Sequence, residues 1–455
     1  MDESHETLAG LRRLFSGQAS PVEEERAAAH LTGCRACWLL AVRALDLQKA
    51  SGDLVVPGPL RSVVALHEMQ QARLEEWLDA QAAWIEIRSL GAKGRRDKVR
   101  LTRSLHTSGF LQVLLAEGAA APPAESEEFF YLALLVAGQL PTARVSVELK
   151  NDLCAECCAE IANARRRLAK WPAARDALKK GEEYALRGTK KGVIEAKLLC
   201  VAGALEDDLG NTEEAAEMLR KAIALFEEAG ETLLKSRTLT QLAYVVADLD
   251  PTEGVRLAGQ ALSLIPHNNP RLVWFAQIIT INCLITLGAP QEALLRFSEL
   301  KGLHEQFREP YMQIRGRFAA ARLLEHLGRS QQAVRVFEEV IAADLEYGLM
   351  KDYFLDLVYL LGSHLRRGQS SDAIAVCRRA GQELSLLDDE EGSEETAREQ
   401  MRGVWRSLEE EVKRGTVDLG ATTVLRNYIK VHWRTPASDP PSFGPTGEKS
   451  VRRSK

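Results

Sequence analysis

The chain has 455 residues, more than one hydrophobic core usually organises, so two or three domains or a repeat array with an appended module is expected. Hydrophobic residues make up 45% and charged residues 27%, with little aromatic content, a balance that suits a soluble protein rich in helix. The formal charge of -5 is small for this length, so no global field draws the protein to nucleic acid or to an anionic membrane.

Asp2, Glu3 and Glu6 stand where a secretory signal places basic residues before an apolar core, so no signal peptide is read and the chain is expected to begin at Met1. The longest apolar run, Phe129 to Ala137, is about half of the roughly 20 residues that span a bilayer and reads as a buried helix. Eight cysteines without a secretory signal point to the cytoplasm and to metal binding or core packing rather than to disulfides.

Leu8, Leu11, Leu14 and Phe15 recur at helical spacing, and Ser16-Gly17 ends that first helix. Ser20-Pro21-Val22-Glu23 supplies an N-cap, a proline at the first helical position and a glutamate able to close a capping box. The second helix runs to about Gly33. His30 falls in its last turn, Cys34 just beyond it, and Cys37 in the first turn of a third helix carrying Trp38, Leu39, Leu40, Val42 and Leu45. Zinc prefers four nitrogen and sulfur ligands in a tetrahedron, and the spacing i, i+4, i+7 at a helix end brings three such side chains to one point. A helix N-terminus also favours the thiolate that zinc requires. The alternative to zinc for the same residues is two small core cysteines and a solvated histidine at a helix C-terminus.

The first fifty residues resemble the zinc-binding anti-sigma factor module, in which His-x3-Cys-x2-Cys is completed by a Cys or His about 25 residues upstream. His5 stands in that place. The resemblance implies that His5, His30, Cys34 and Cys37 bind one Zn2+, and that the module's partner is a sigma factor. Members with an upstream Cys release zinc through disulfide formation; His5 stands at that position here.

Gly52 to Pro59, with two glycines and two prolines among eight residues, reads as a linker. From Leu60 to Leu90 a long amphipathic segment follows, with Val64, Leu66, Met69, Leu74, Leu78, Ala82 and Ile85 along one face. In anti-sigma modules a fourth helix after a linker completes the clamp on the sigma factor, and this segment is either that helix or the first of the scaffold. The basic run Lys93, Arg95, Arg96, Lys98, Arg100 and Arg103 lacks interleaved aromatics and reads as a solvated helix face, so no nucleic-acid partner is expected. Gly118 to Glu125 reads as a loop.

From about Asn151 the chain repeats. Ala169, Gly210, Leu249, Gly288, Gly328 and Gly368 stand just before successive second helices, 41, 39, 39, 40 and 40 residues apart. Five residues after each comes a small residue: Ala174, Ala215, Gly254, Ala293, Ala333 and Ala373. Nine after come Leu178, Leu219, Ala258, Phe297, Phe337 and Cys377, and twelve after come Gly181, Ala222, Ala261, Leu300, Val340 and Ala380. The small residue lets the second helix approach the first, while the other two positions face the core on one stripe. This order resembles tetratricopeptide repeats over roughly residues 150 to 390, in units longer than the usual 34 residues. The resemblance implies an α-solenoid with longer helices, as in the repeat arrays of bacterial transcriptional regulators.

Cys154, Cys157 and Cys158 share one helix face with no histidine nearby and read as core, as do Cys200, Cys283 and Cys377. Helical segments over 396–413 and 419–433 close the scaffold after an acidic break, and the Pro-rich stretch from Arg434 is expected to be disordered. No phosphate loop, His-Glu-x-x-His motif or Gly-x-Ser-x-Gly elbow is present, so an enzyme is not expected. Solenoids instead offer a concave surface to a protein partner, and Lys197, Asn282, Arg315 and Arg322 are candidates to line it.

The sequence thus predicts an all-α protein: a zinc-stabilised helical module over 1–51, a linker over 52–59, a joining segment over 60–149, a solenoid over 150–433 and a tail over 434–455. The expected function is a regulatory adaptor acting on a sigma factor or related regulator; the alternative is a general repeat scaffold whose zinc module is purely structural.

Overall fold

A computed structural model describes residues 7–432, except 53, 55, 57, 169, 248, 267–268, 348, 387–391 and 418. His5, the acidic residues 388–391 and the Pro-rich tail lie outside the described residues. Every regular element among the described residues is a helix, and the chain divides into two compact units, Met1–Ser146 and Val147–Lys455.

In the first unit α1 (Leu8–Phe15), α2 (Pro21–Gly33) and α3 (Arg35–Ser51) enclose a small core of Leu11, Leu14, Phe15, Leu31, Cys37 and Leu45. Ser20 and Glu23 close the capping box of α2, the Ser20 amide donating to Glu23 Oε2 at 2.7 Å. Backbone and hydroxyl hydrogen bonds from Ser20 hold the Glu23 carboxyl below its usual pKa. The helix α4 (Arg61–Arg88) has 28 residues, a length of about 42 Å. It belongs to the first unit, where its two ends meet different helices. Leu60, just before its first turn, and Val64 complete the core around Leu11, and His67 bonds Asp46 of α3 at 3.0 Å.

The far end of α4 packs on α6 (Ser108–Ala120) and α7 (Pro123–Gln139), where Trp84 meets Phe129 edge-on at 5.1 Å. Between them, α5 (Ala92–Leu101) carries the basic run, and Arg95 is held by Glu128 of α7 at 2.7 Å, which makes it an internal tie. The stretch 118–125 is not a loop: only 121 and 122 lie outside helix. Pro123 occupies an N-terminal position of α7, where its missing N–H costs nothing, and Ser126 Oγ donates to the Gly118 carbonyl at 2.7 Å.

In the second unit six helical hairpins follow one another: α8 (Val147–Arg167) with α9 (Trp171–Ala185), α10 (Gly192–Asp208) with α11 (Thr212–Glu228), α12 (Thr232–Val246) with α13 (Pro251–Leu264), α14 (Pro270–Thr286) with α15 (Pro290–His304), α16 (Pro310–His326) with α17 (Ser330–Glu346), and α18 (Met350–Arg366) with α19 (Ser370–Leu386). Two further helices, α20 (Gly392–Arg414) and α21 (Gly420–His432), close the stack by packing on α19 and α18. Each first helix packs on its own second helix, and each second helix on the next first helix, which is the architecture of an α-solenoid.

The small residue of each repeat is where the hairpin is tightest. Ala174, Ala215, Ala293, Ala333 and Ala373 are all fully buried, and a Cβ added at Gly254 would stand 3.4 Å from the Ala243 carbonyl of its paired helix and 2.8 Å from Cys283 Sγ of the next repeat. Gly210, Gly288, Gly328 and Gly368 adopt φ of +82°, +73°, +74° and +69°, the left-handed turn that ends a first helix and satisfies its last carbonyls. Leu249 reaches the same place without it, because Asp250 and Pro251 start α13 at once, with the Asp250 carboxylate accepting from the Glu253 amide at 3.0 Å.

Enlarging one such residue should therefore unseat a hairpin. Ala293→Leu is expected to lower stability by roughly 1–3 kcal/mol in urea denaturation through overpacking. Leu295→Ala, on the same helix but 59% exposed, should change it by less than about 0.5 kcal/mol.

Candidate functional site

The metal-ligand candidates lie at the corner between α2 and α3. Cys34 is at once the C-cap of one helix and the N-cap of the other, with extended backbone at φ -112° and ψ 102°. Its amide donates to the His30 carbonyl at 3.0 Å, and its own carbonyl accepts from the Trp38 amide at 2.9 Å, so a single residue joins the two helices. That corner turns His30, in the last turn of α2, toward Cys37, in the first turn of α3; His30 Nε2 stands 3.2 Å from Cys37 Sγ.

One ligand atom from each of His30, Cys34 and Cys37 falls within 4.8 Å of the others. Zinc bonds of 2.0–2.3 Å set tetrahedral ligand edges of roughly 3.5 Å, so a small contraction brings the three into coordination. Cys34 and Cys37 are not joined as a disulfide. A set of two thiols and one imidazole at a helix N-terminus suits zinc, and Cys37 belongs to the module's core with no exposed surface.

The other cysteine cluster is core. Cys154, Cys157 and Cys158 of α8 are buried, and burial pushes all three thiols up, that of Cys158 to about 11. Neutral thiols of this kind are poor ligands and poor nucleophiles.

The inner surface of the solenoid is built by the first helices, and polar bonds one repeat apart tie α8 to α10, α10 to α12, α14 to α16 and α16 to α18. Lys197 of α10 pairs with Glu156 of α8, and Arg166 of α8 with Asp208 of α10 at 2.5 Å. The Gln241 side chain of α12 donates to the Cys200 carbonyl at 3.0 Å, Arg322 of α16 donates to Asn282 of α14 at 3.1 Å, and Arg366 of α18 to Glu325 of α16 at 2.7 Å. Lys197, Asn282 and Arg322, expected to line the surface, are thus rungs of a ladder that aligns it.

Arg315 holds a denser knot. Its guanidinium lies 2.9 Å from Asp344 of α17 and 3.5 Å from both Asp352 and Asp356 of α18. Asp344 and Asp356 have essentially no exposed surface. Burial raises the Asp344 carboxyl to about 6 and the Asp356 carboxyl well above its ordinary range, against the pull of Arg315. Burial works against the guanidinium charge, but the carboxylates around it win and raise the Arg315 pKa well above normal. One guanidinium offsets two buried carboxylates only in part, so both hold their protons to higher pH than an exposed aspartate does.

A feature that sequence reasoning missed lies where the helix ends converge. Lys351, at the start of α18, reaches Asp208, at the end of α10, with Nζ 3.4 Å from Oδ1 and 3.3 Å from the backbone carbonyl. These helices belong to the second and sixth repeats, 143 residues apart, so the array turns far enough to bring the two into contact. The Tyr244 phenol of α12 is raised well above the usual pKa by burial and then by Asp207, Tyr311, Asp352 and Asp208. No periodicity within one repeat signals a meeting of repeats this distant.

Residues 196–228, which span α10 and α11, match the Tetratricopeptide repeat family. Among solved structures the chain is similar to that described as "Crystal Structure of Rap Protein Complexed with Competence and Sporulation Factor", at 16% identity and a TM-score of 0.52, over 70% of this chain and 85% of that one. No curated protein matches. The likeness supports the tetratricopeptide-like solenoid as the fold, an architecture that serves protein interaction. Among the described residues no helix is long and apolar enough to cross a membrane.

The Arg315 knot carries a pH signature. Between the ordinary aspartate value of about 3.9 and about 6, the folded state holds more protons than the unfolded one, so stability from this site falls as pH rises through that window. Asp356→Asn removes one of the two buried carboxylates. Its stability relative to wild type should improve by roughly 1–3 kcal/mol as pH rises through about 6, read from denaturation midpoints at each pH.

Proposed function

We propose that this protein is a regulatory protein-protein interaction adaptor in the cytoplasm, in which a zinc-stapled N-terminal module acts on a sigma factor or a related transcription regulator and the solenoid binds a second protein. The observation that carries the reading is the convergence of His30, Cys34 and Cys37 at the α2–α3 corner, in the spacing of the anti-sigma module. His5 is proposed as the fourth ligand. Zinc held there supplies folding energy to a unit too small to bury much surface by itself. The two thiolates and the imidazole fix the angle between α2 and α3 and so orient the helices that face a partner.

The open face of α4 supports a partner on this unit. Leu74, Leu78 and Ile85 lie on it 56%, 52% and 71% exposed, with Trp77 beside them at 39%. An apolar stripe of this kind suits occlusion of the sigma factor's polymerase-binding surface. The alternative, a general scaffold with a purely structural zinc module, draws support from Cys37, which is as much a part of the core as a ligand.

The isolated protein is expected to carry one zinc per chain by metal analysis, lost in Cys34→Ala and Cys37→Ser and weakened in His5→Ala. A zinc-loaded pull-down should recover a sigma factor, and removal of residues 1–51 should abolish that capture while the solenoid keeps its helical circular dichroism. A pull-down that recovers no sigma factor overturns the regulatory reading. Capture that survives the truncation favours the scaffold.

A further inference from the structure

The end of the solenoid breaks the order of its repeats. α20 packs on α19, as each first helix packs on the second helix before it, so α20 stands in the place of a seventh first helix. A seventh second helix would lie against α20. α21 instead packs chiefly on α18, after a connector over 415–419 that is longer than the hairpin turns at 209–211, 287–289, 327–329 and 367–369.

The side of α18 that α21 takes is the inner one. Arg426 of α21 donates to the Tyr359 hydroxyl at 2.9 Å and holds its guanidinium 5.8 Å from the centre of that ring. Arg322, a rung of the inner ladder through Asn282, approaches the same ring at 5.3 Å. One turn further along α18, a Cβ added at Gly362 would stand 3.6 Å from the Thr422 methyl of α21 and from the guanidinium of Arg366, the rung that bonds Glu325. α21 therefore lies along the ladder where α16 is tied to α18.

Its sequence is that of a helix made to sit in a groove. Ala421, Leu425, Tyr428 and Ile429 are buried at spacing i, i+4, i+7, i+8, while Thr423 and Asn427 are exposed on the opposite face. A helix of 13 residues is too short to persist in water alone, so α21 is helical because it is seated. The six hairpins before it pack on one another without its help, and it can leave without unstacking any of them.

We propose that α21 is an autoinhibitory strap: it occupies the inner surface at α16 and α18 in the resting protein and yields that seat to a competing amphipathic helix. This rests on the reading of the solenoid as an interaction scaffold and adds what keeps part of its surface closed. The seat selects by the chemistry of its own occupant, apolar side chains four residues apart for the floor and a guanidinium for the Tyr359 hydroxyl and ring.

A fluorescein-labelled peptide of residues 420–432, added in trans to the full-length protein, is the probe, and anisotropy is the readout. Leu425→Asp together with Ile429→Asp releases the strap in cis, and this variant should bind the peptide. Wild type should bind it at least about tenfold more weakly, because the tethered helix competes at high effective concentration. Arg426→Ala in the peptide should weaken binding to the released variant roughly tenfold, the loss of a charge-assisted hydrogen bond, while Thr423→Ala in the peptide should leave it unchanged. Hydrogen exchange on wild type needs no variant: the amides of α21 should exchange faster than those of α18 and α20. Absence of peptide binding by the released variant, collapse of its helical circular dichroism, equal binding by wild type, indifference to Arg426→Ala, or exchange of α21 in step with α18 overturns the proposal and makes α21 a fixed cap. The scaffold reading falls separately, if neither wild type nor the released variant captures a protein partner.

Discussion

The solenoid depends on how closely two helices of a hairpin can approach. Six positions spaced by about one repeat carry Ala or Gly, and each is buried where the second helix crosses the first. Larger residues nine and twelve positions after the turn then interlock: Leu219, Phe337 and Val340 are buried because the backbones beside them are near. With the hairpins set at one separation, successive first helices come into register, and the ladder from Glu156–Lys197 to Glu325–Arg366 forms between side chains about one repeat apart. Local smallness thus propagates into a continuous inner surface.

The corner at Cys34 is the counterpart in the first unit. A helix ended at Gly33 and another begun at Arg35 leave a single residue in extended conformation. That abrupt change of direction, rather than an apolar core of any size, brings His30 and Cys37 to 3.2 Å.

Much of this was legible in the chain because it is local. The capping box at Ser20, the small residues on a period near 40 and the glycines that end first helices are all set by neighbours a few residues away. The stretch 118–125 misled because Gly, Ala and Pro together suggest a loop, whereas Gly118 is small to admit Phe130 and Pro123 opens α7. At the candidate metal site the triad was legible from spacing alone. Arg315, read as a groove-lining residue, is in fact bound to Asp344, Asp352 and Asp356 from two other helices, a partnership that no pattern within one helix announces. The Lys351–Asp208 contact lay further out of reach, since the second and sixth repeats meet only after the repeats between them have accumulated their twist.

The bond between Lys351 and Asp208 changes what kind of object the solenoid is. A stack of repeats with nearest-neighbour contacts behaves as a one-dimensional chain, free to fray from either end one unit at a time. Joining the second repeat to the sixth turns that chain into a loop, and the three intervening repeats then share one fate. The bond itself is half-open to water and worth little alone, on the order of 1 kcal/mol or less. Its leverage is topological: breaking it frees the curvature of every hairpin between, so hydrogen exchange should show α10 and α18 opening together rather than in sequence.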